Sequence, residues 1–382
     1  MKFYSKQNVF DAALDRFRFI FDEFPEVVVG FSGGKDSTVC LNLALRVAEE
    51  KGRLPLKVMF LDQEAEWQTV IDFARKVSED PRIDFRWYQM PIRIENATSG
   101  NDSYLITWEP GKEWMREKEP NSITENIYGT EIFYELFAAI FAKDFPGQKA
   151  CYISGVRCEE SPTRFVALTY HQTYKHITYG KILNKAEQQF SFYPLYDWSY
   201  TDVWKSIHEN GWPYCQVYDY MYMHGVNLND MRVSNLNHET ALHALYFLPE
   251  IESETWNRLT KRLAGINSAR QLGKSNFISP PKDLPYMFTS WIEYRDYLLK
   301  NLITDPVIFD TMRKKFEHMD KKYREIKSIE DMYRVQISTI LSNDSWLTKV
   351  NNWERRPEVN TWRKWQRGLI PKLTQSNKYI TG

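Results

Sequence analysis

Two adjacent glycines near the start of the chain lie among side chains that suit a bound anion. The segment is Ser32-Gly33-Gly34-Lys35-Asp36-Ser37, and an apolar run precedes it. Glycines permit a tight turn from a strand into a helix, and the first turn of that helix leaves backbone N–H groups that can donate to an anion. Lys35 adds a positive charge, and the hydroxyl groups of Ser32 and Ser37 can donate to phosphate oxygens. The segment therefore predicts a phosphate-binding turn.

This turn is not a Walker A loop. That motif requires four residues between its first glycine and the Gly-Lys pair, with Ser or Thr after the lysine. Here only three residues separate Gly30 from Gly34, and Asp36 stands where the magnesium-binding hydroxyl belongs. The sequence excludes a motor protein or GTPase of the Walker type.

The hexapeptide closely resembles the pyrophosphate-loop (PP-loop) motif of the adenine nucleotide alpha-hydrolase-like fold. Three later segments are similar to sequences of phosphoadenosine phosphosulfate (PAPS) reductases and of the small subunit of ATP sulfurylase: SGVRCEESPTR at 154–164, YPLYDWSYTDVW at 193–204 and GWPYCQVYD at 211–219. The resemblance spans roughly residues 25–220. It implies an α/β fold with a doubly wound parallel sheet and a loop that binds ATP or a sulfonucleotide such as PAPS. It also implies a reaction in which a nucleophile attacks the α-phosphate of the bound nucleotide.

The resemblance also implies roles for single residues. Lys35, Asp36 and Arg157 are the predicted catalytic residues. Arg157 and Arg164 would follow the carboxyl end of a strand, where open α/β sheets bind ligands, and guanidinium groups suit phosphate or sulfate. The predicted nucleotide-binding residues are Phe31, Ser32, Gly33, Gly34, Lys35, Asp36, Ser37, Gly155, Arg157, Glu160 and Arg164.

An acidic segment, Leu61-Asp62-Gln63-Glu64-Ala65-Glu66, follows the second predicted strand. The related families often have an Asp-Thr-Gly-type segment here, so this sequence departs from their pattern. Because carboxylate oxygens suit Mg²⁺, Asp62 and Glu64 are predicted to hold that ion against the nucleotide phosphates. The alternative is a helix N-terminus that merely favours acidic side chains.

The four cysteines are Cys40, Cys151, Cys158 and Cys215. Sulfonucleotide reductases carry a nucleophilic cysteine in a C-terminal Glu-Cys-Gly-Leu-His segment, and no cysteine follows Cys215 here. Cys158, beside Arg157, is either a thiolate with a lowered pKa or a small packed side chain. The spacing of the cysteines supports neither a zinc ribbon nor an iron–sulfur cluster.

Alternation of apolar runs with helical patterns predicts the elements that position these residues. Strands are predicted over residues 27–31, 56–61, 84–89 and 150–154, and helices over 36–50, 66–78 and 130–142. A capping box predicts a further helix from Ser199 to about Asn210. The polar segment 95–129 is too long for an ordinary connection and is predicted to be a lid or substrate loop. The predicted domains are a nucleotide-binding domain over 1–228 and a mainly α-helical, basic domain over 229–382.

The composition is that of a folded protein, with 43% hydrophobic and 15% aromatic residues and a net charge of zero. No apolar run approaches the length of a membrane span, and the first residues include charges where a signal peptide is apolar. We therefore expect a cytoplasmic protein with no membrane partner. The charge is uneven, because residues 1–250 carry 26 basic and 35 acidic side chains and residues 251–382 carry 24 and 15.

Tryptophans alternate with basic residues in the segment NNWERRPEVNTWRKWQR at 351–367. Such a pattern can bind a nucleic-acid backbone and stack on bases, and it also forms ordinary helix interfaces. Together with the PP-loop and the segment 229–235, it is similar to the immunoglobulin-binding regulator A family, whose C-terminal domain has no characterised function. This resemblance implies a ParB/sulfiredoxin-like protein partner and, through the basic C-terminal third, a possible DNA partner.

Three functions follow, in order of preference. The first is Mg²⁺-dependent chemistry at the α-phosphate of ATP, in which Lys35 and the loop amides stabilise the leaving pyrophosphate and an acceptor is adenylylated. The second is a nucleotide-sensing transcriptional co-regulator without turnover. The third is a sulfonucleotide reductase that lacks the usual catalytic cysteine.

Overall fold

The computed structural model describes residues 6–99, 104–170, 174–228, 231–233, 235–238, 241–263, 265–267 and 280–369. Their contacts divide the chain into two compact units. The first unit comprises Met1–Ile94, Ile106–Leu236 and Glu250–Arg258, and the second comprises Glu95–Leu105, Asn237–Pro249 and Leu259–Gly382. The division of the sequence at residues 228 and 229 stays a prediction.

A six-stranded sheet forms the centre of the first unit. Its strands are β1 (Glu26–Phe31), β2 (Leu56–Leu61), β3 (Ile83–Tyr88), β6 (Ala150–Ile153), β7 (Gly180–Asn184) and β8 (Gln189–Phe192). The order across the sheet is β3-β2-β1-β6-β8-β7, and all neighbours run parallel except β7, which is antiparallel to β8. A separate two-stranded sheet contains β4 (Ile92–Glu95) and β5 (Tyr104–Thr107).

The central strand is β1. Val28 pairs with Lys57 of β2 on one side and with Tyr152 of β6 on the other. Five of the six β1 residues are buried, as expected of a strand covered on both faces, and this explains its continuous apolar run. The order of strands reverses at β1, so the carboxyl ends of β1 and β6 form the crevice where sheets of this kind bind ligands.

The helices up to residue 223 belong to the first unit, and the helix at 242–245 belongs to the second. The helices are α1 (Val9–Glu23), α2 (Lys35–Glu50), α3 (Gln68–Ser78), α4 (Phe133–Asp144), α5 (Pro162–Tyr170), α6 (Tyr200–Asn210), α7 (Val217–Met223), α8 (Leu242–Leu245), α9 (Leu248–Ile251) and α10 (Ser253–Arg262). The predicted capping box is present before α6, because the Ser199 and Asp202 side chains each bind the other residue's backbone N–H. The predicted α/β class with a mostly parallel sheet is confirmed.

The second unit contains α11 (Trp291–Leu302), α12 (Pro306–Tyr323), α13 (Ile329–Leu341), α14 (Thr348–Glu354) and α15 (Pro357–Gln366). Trp353 and Trp362 lie in the core of these helices and pack against Tyr323. Trp353 Nε1 donates to Asp331 Oδ2 over 2.8 Å. These two tryptophans are buried and cannot stack on bases, whereas Trp365 is only partly buried. The prediction of a DNA partner therefore depends on Trp365 and the basic side chains. Within the described ranges, the helices lack the combination of length and apolar character that crossing a bilayer requires.

Candidate functional site

The turn from β1 into α2 has the tight geometry that its glycines permit. Gly33 has a φ of 69°, and a Cβ placed on it would lie 2.7 Å from Val70 Cγ1. Both the backbone conformation and the close approach of α3 therefore require glycine. Gly34 is the N-cap of α2 and offers no capping side chain. The first-turn N–H groups of α2 begin at this turn, an arrangement that suits an anionic ligand.

Two hydroxyl groups are held together at the turn. Ser32 Oγ lies 3.0 Å from Ser37 Oγ, and Ser32 N donates to Ser37 Oγ over 3.2 Å. Ser37 Oγ in turn donates to Gly34 O over 2.9 Å. Ser37 is buried whereas Ser32 is exposed. The Ser32 hydroxyl is therefore accessible to a ligand, and Ser37 fixes its position.

Lys35 is buried, with 5% of its surface exposed. Its Nζ lies 3.1 Å from Asp36 Oδ2 and donates to Met231 O over 3.3 Å. Burial is the largest influence on the Lys35 pKa and lowers it; Asp36 opposes that shift, and the positive charges of Arg157 and Arg232 add to it. A charge with so little water around it acts strongly on a neighbouring anion.

Tyr218 holds one of the amides of the turn. Its Oη accepts the backbone N–H of Lys35 over 3.0 Å, and the ring centroid lies 5.4 Å from Lys35 Nζ. Burial raises the pKa of Tyr218 far above its ordinary value, so the side chain is a neutral phenol at physiological pH. Tyr218 was not among the predicted site residues; it belongs to the segment GWPYCQVYD at 211–219, and the likeness of that segment to the related families was the signal that could have identified it.

Arg157 connects the turn after β6 to the first turn of α2. Its Nε donates to Asp36 Oδ1 over 2.5 Å, and its Nη1 donates to Glu159 Oε2 over 3.1 Å. Gly155 lies against α2, because a Cβ on it would be 2.7 Å from Asp36 O. The predicted residues Asp36, Gly155 and Arg157 are thus brought together, with Asp36 between the Lys35 and Arg157 cations.

Two more arginines belong to the same region. Arg164, in the first turn of α5, forms an ion pair with Glu160. The Glu160 carbonyl oxygen accepts Arg232 Nη2 over 2.8 Å. The pKa of Arg164 is lowered chiefly by burial and next by the charge of Arg232. Arg232 was not predicted, since a single arginine in a polar segment gives no pattern to recognise.

Phe31, predicted to bind the nucleotide, has its side chain in the core of the first unit. Its ring packs in the core against Phe60, Phe73 and Phe85, with centroid distances of 6.2, 5.7 and 6.2 Å. As the last residue of β1, it directs its side chain into the apolar layer beside the sheet. Only its backbone remains available for the predicted nucleotide contact.

Asp62 and Glu64, the predicted Mg²⁺ ligands, are fully buried and occupied by protein donors. Asp62 Oδ2 accepts Trp87 Nε1 and Gln89 Nε2, each over 2.9 Å, and Oδ1 pairs with Arg116. Glu64 accepts backbone N–H groups from two residues of the long polar segment, Trp108 over 2.6 Å and Met115 over 3.3 Å. These two carboxylates do not fit an Mg²⁺ site in this arrangement, because their lone pairs already have partners. Within the described ranges, no cluster of three or more His, Cys, Asp or Glu side chains has metal-binding geometry.

The cysteines show no activated thiol. Burial raises the pKa of Cys158, and the charge of Asp197 raises it further. Burial also raises the pKa values of Cys40 and Cys151, and that of Cys215 to about 11. All four are free thiols. The packed-side-chain interpretation of Cys158 agrees with these shifts.

Comparison with known proteins identifies two family segments. Residues 26–224, just over half of the chain, match the phosphoadenosine phosphosulfate reductase domain, and residues 225–328 match a domain of unknown function (DUF3440). The chain is 29% identical over 308 residues to the uncharacterized protein YbdN of Escherichia coli, covering 77% of this chain and 75% of YbdN. It is 24% identical to an adenosine 5′-phosphosulfate reductase of Geobacillus thermodenitrificans, covering 56% of this chain and 77% of the reductase.

Among solved structures, the chain is similar to a Candida glabrata FMN adenylyltransferase in complex with FMN and an ATP analogue, with 17% identity, a TM-score of 0.36 and coverage of 62% of this chain and 66% of the other. It is also similar to the PAPS reductase of Candida auris, with 13% identity, a TM-score of 0.32 and coverage of 61% and 97%. The match over residues 26–224 contains the PP-loop and both predicted arginines. The chain therefore belongs to the phosphoadenosine phosphosulfate reductase domain family, whose nucleotide-binding α/β domain its first unit contains.

Proposed function

We propose that the first unit binds ATP at the turn between β1 and α2 and transfers the adenylyl group to an acceptor. The observation that carries this proposal is the pair of cations on Asp36, where Lys35 Nζ and Arg157 Nε lie 3.1 and 2.5 Å from its two carboxylate oxygens. Both cations are buried and stand beside the N-terminus of α2. Such a setting stabilises the charge of a phosphate chain. A sulfonucleotide such as PAPS has the same linked anionic groups and is the alternative ligand.

The reaction is a substitution at the α-phosphorus. An acceptor oxygen forms a bond to that phosphorus, and the bond from it to the oxygen shared with the β-phosphate breaks. Pyrophosphate leaves with the electron pair. A protein hydroxyl acceptor loses its proton to solvent, whereas a sulfur oxyanion has no proton to lose. ATP enters as its Mg²⁺ complex, so the metal is part of the substrate. The acceptor is a ParB/sulfiredoxin-like partner protein or a sulfur oxyanion.

Each residue has a defined part in this step. Lys35 and the first-turn amides of α2 stabilise the charge that grows on pyrophosphate, a contribution of about 10²–10³ in rate for a single well-placed donor. Arg157 orients the phosphates, and Asp36 positions both cations. Ser32, whose hydroxyl is exposed, donates to a phosphate oxygen.

A sulfonucleotide reductase is less well supported. Reduction requires a thiolate, and burial raises the pKa of each of the four cysteines. Adenylyl transfer requires no cysteine, so these shifts do not oppose it.

The test uses ATP labelled at the α-phosphate, Mg²⁺ and the full chain, with and without the ParB/sulfiredoxin-like protein. We expect label in AMP or an adenylylated acceptor and release of pyrophosphate. Lys35→Met keeps the apolar stem and removes the charge, so it is expected to lower the rate about 100-fold or more with the fold retained. Lys205→Met, on the exposed face of α6, is the matched control and is expected to keep the full rate.

Two results would contradict the proposal. Full turnover by Lys35→Met would show that the Lys35 charge does not contribute to the reaction. Binding of ATP that stays intact, with the partner present, would favour the nucleotide-sensing co-regulator without turnover.

A further inference from the structure

A short segment after α7, described at residues 231–233 and 235–236, lies at the carboxyl edge of the sheet in the first unit. Met231 O accepts Lys35 Nζ over 3.3 Å, and Arg232 Nη2 donates to Glu160 O over 2.8 Å. Farther along, Leu236 N donates to Ala65 O over 2.7 Å. The segment therefore contacts the PP-loop, the turn after β6 and the turn after β2. It lies beyond residue 224, where the reductase-domain match ends, and within the match to the domain of unknown function.

Arg232 adds a fourth cation to the three already present. Its side chain is anchored through the Glu160 carbonyl, and the Glu160 carboxylate pairs with Arg164. The preceding residue, Met231, touches the Lys35 ammonium group. Arg232 is exposed, whereas Lys35 and Arg157 are buried. The cations thus extend from the base of the turn to its solvent edge.

The number of charges indicates the kind of ligand. A nucleoside monophosphate presents one phosphate group, which Lys35, Arg157 and the α2 amides already suffice to contact. An additional guanidinium group at the solvent edge suits a second anionic group linked to the first, because a guanidinium group can bind a phosphate or sulfate with two parallel hydrogen bonds.

We propose that Arg232 binds the terminal anionic group of the nucleotide, so that the site selects nucleotides with two or more linked phosphate or sulfate groups over the monophosphate. The inference rests on the proposed nucleotide site and assigns part of it to a segment outside the reductase domain. Arg232 acts here as a binding residue that determines specificity.

The competing explanation is that Arg232 only anchors its own segment through the Glu160 carbonyl. In that case its removal would disturb every nucleotide alike. If Arg232 instead binds the terminal group, its removal should weaken the binding of ATP or adenosine 5′-phosphosulfate more than that of AMP, because AMP lacks the group that Arg232 contacts.

The experiment measures binding of ATP, adenosine 5′-phosphosulfate and AMP to the full chain by calorimetry. Arg232→Gln is compared with wild type and with Arg258→Gln, a control on the exposed face of α10. We expect Arg232→Gln to weaken the binding of ATP or adenosine 5′-phosphosulfate about tenfold or more. The binding of AMP should weaken less than about threefold. Arg232→Lys, which keeps the charge, should recover part of the loss.

The outcomes separate the two proposals. Equal weakening of all three ligands, or no weakening of any, overturns the role of Arg232 and leaves the nucleotide site intact. Absence of binding by the wild-type chain overturns the nucleotide site and Arg232 with it. If Arg232→Gln loses affinity only for adenosine 5′-phosphosulfate, the terminal group that Arg232 binds is sulfate. If it loses affinity only for ATP, that group is phosphate.

Discussion

Arg157 Nε donates to Asp36 Oδ1 over 2.5 Å, and this ion pair links two motifs that lie 121 residues apart in the chain. Asp36 belongs to the first turn of α2, and Arg157 belongs to the turn after β6. Because β1 and β6 are neighbours in the sheet, the pair spans the crevice at their carboxyl ends. The residues predicted to bind the nucleotide are thus linked across the sheet by an ion pair between buried Arg157 and partly exposed Asp36.

The Arg157 and Asp36 side chains are predicted to be energetically coupled. Arg157→Gln leaves the Asp36 carboxylate with Lys35 alone, which is expected to lower the free energy of unfolding by about 2 kcal/mol, less than for a fully buried pair because Asp36 is partly exposed. Asp36→Asn should lower the free energy of unfolding by a similar amount. The double variant should lose less free energy of unfolding than the two single variants lose together. Urea unfolding of all four proteins measures this coupling, and additive losses would mean that the pair contributes nothing of its own.

Gly155→Ala is predicted to move the turn after β6, which contains Arg157, away from the first turn of α2. The added methyl group would lie 2.7 Å from Asp36 O, so the turn after β6 must shift away from α2. We expect a loss of about 1–3 kcal/mol in the free energy of unfolding, with weaker ATP binding. Gly52→Ala is the control for the added methyl group, because no atom lies within 4 Å of it. Gly52 has a φ of 64°, a strain on the variant that Gly155 lacks, so the control is compared in ATP binding, which it is expected to leave unchanged. Wild-type ATP affinity in Gly155→Ala would contradict the close packing.

Glu66 is predicted to make the stability of the protein depend on pH. Burial, followed by the charge of Asp62, raises its pKa from 4.5 to about 8, against the opposing effect of Arg116. Between these pH values the unfolded chain is ionised at Glu66 and the folded chain keeps the proton. The folded state then binds more protons, so the free energy of unfolding falls as pH rises, by at most about 1.4 kcal/mol per pH unit.

Glu66→Gln removes this dependence because the amide stays neutral. Relative to wild type, the variant should gain stability progressively between pH 4.5 and about pH 8, and little below that range. Urea unfolding across the range tests the trend. Glu209→Gln, at an exposed position on α6, should leave the pH dependence as in wild type. A Glu66→Gln variant whose stability follows wild type at every pH would show that Glu66 is ionised in the folded protein.

Local sequence predicted the elements that local interactions determine. The β2 strand was predicted with the bounds that it has, and the Ser199 cap was identified from its two polar side chains. The strands β7 and β8 were not predicted, because runs of five and four residues carry too little alternation to be distinguished from loops. The pairing of β8 with both β6 and β7 supplies the stability that the local pattern does not show.

The sequence by itself determined the chemistry of the turn, since the conformations that Gly33 and Gly34 permit and the start of α2 are properties of adjacent residues. Only the tertiary structure decided which distant groups reach that turn. It placed Tyr218 and Arg232 at the turn, gave Asp62 and Glu64 hydrogen-bond donors from the protein, and buried Trp353 among helices. The physical reason is that hydrophobic periodicity shows which face of an element is covered, whereas chain folding selects the residues that cover it.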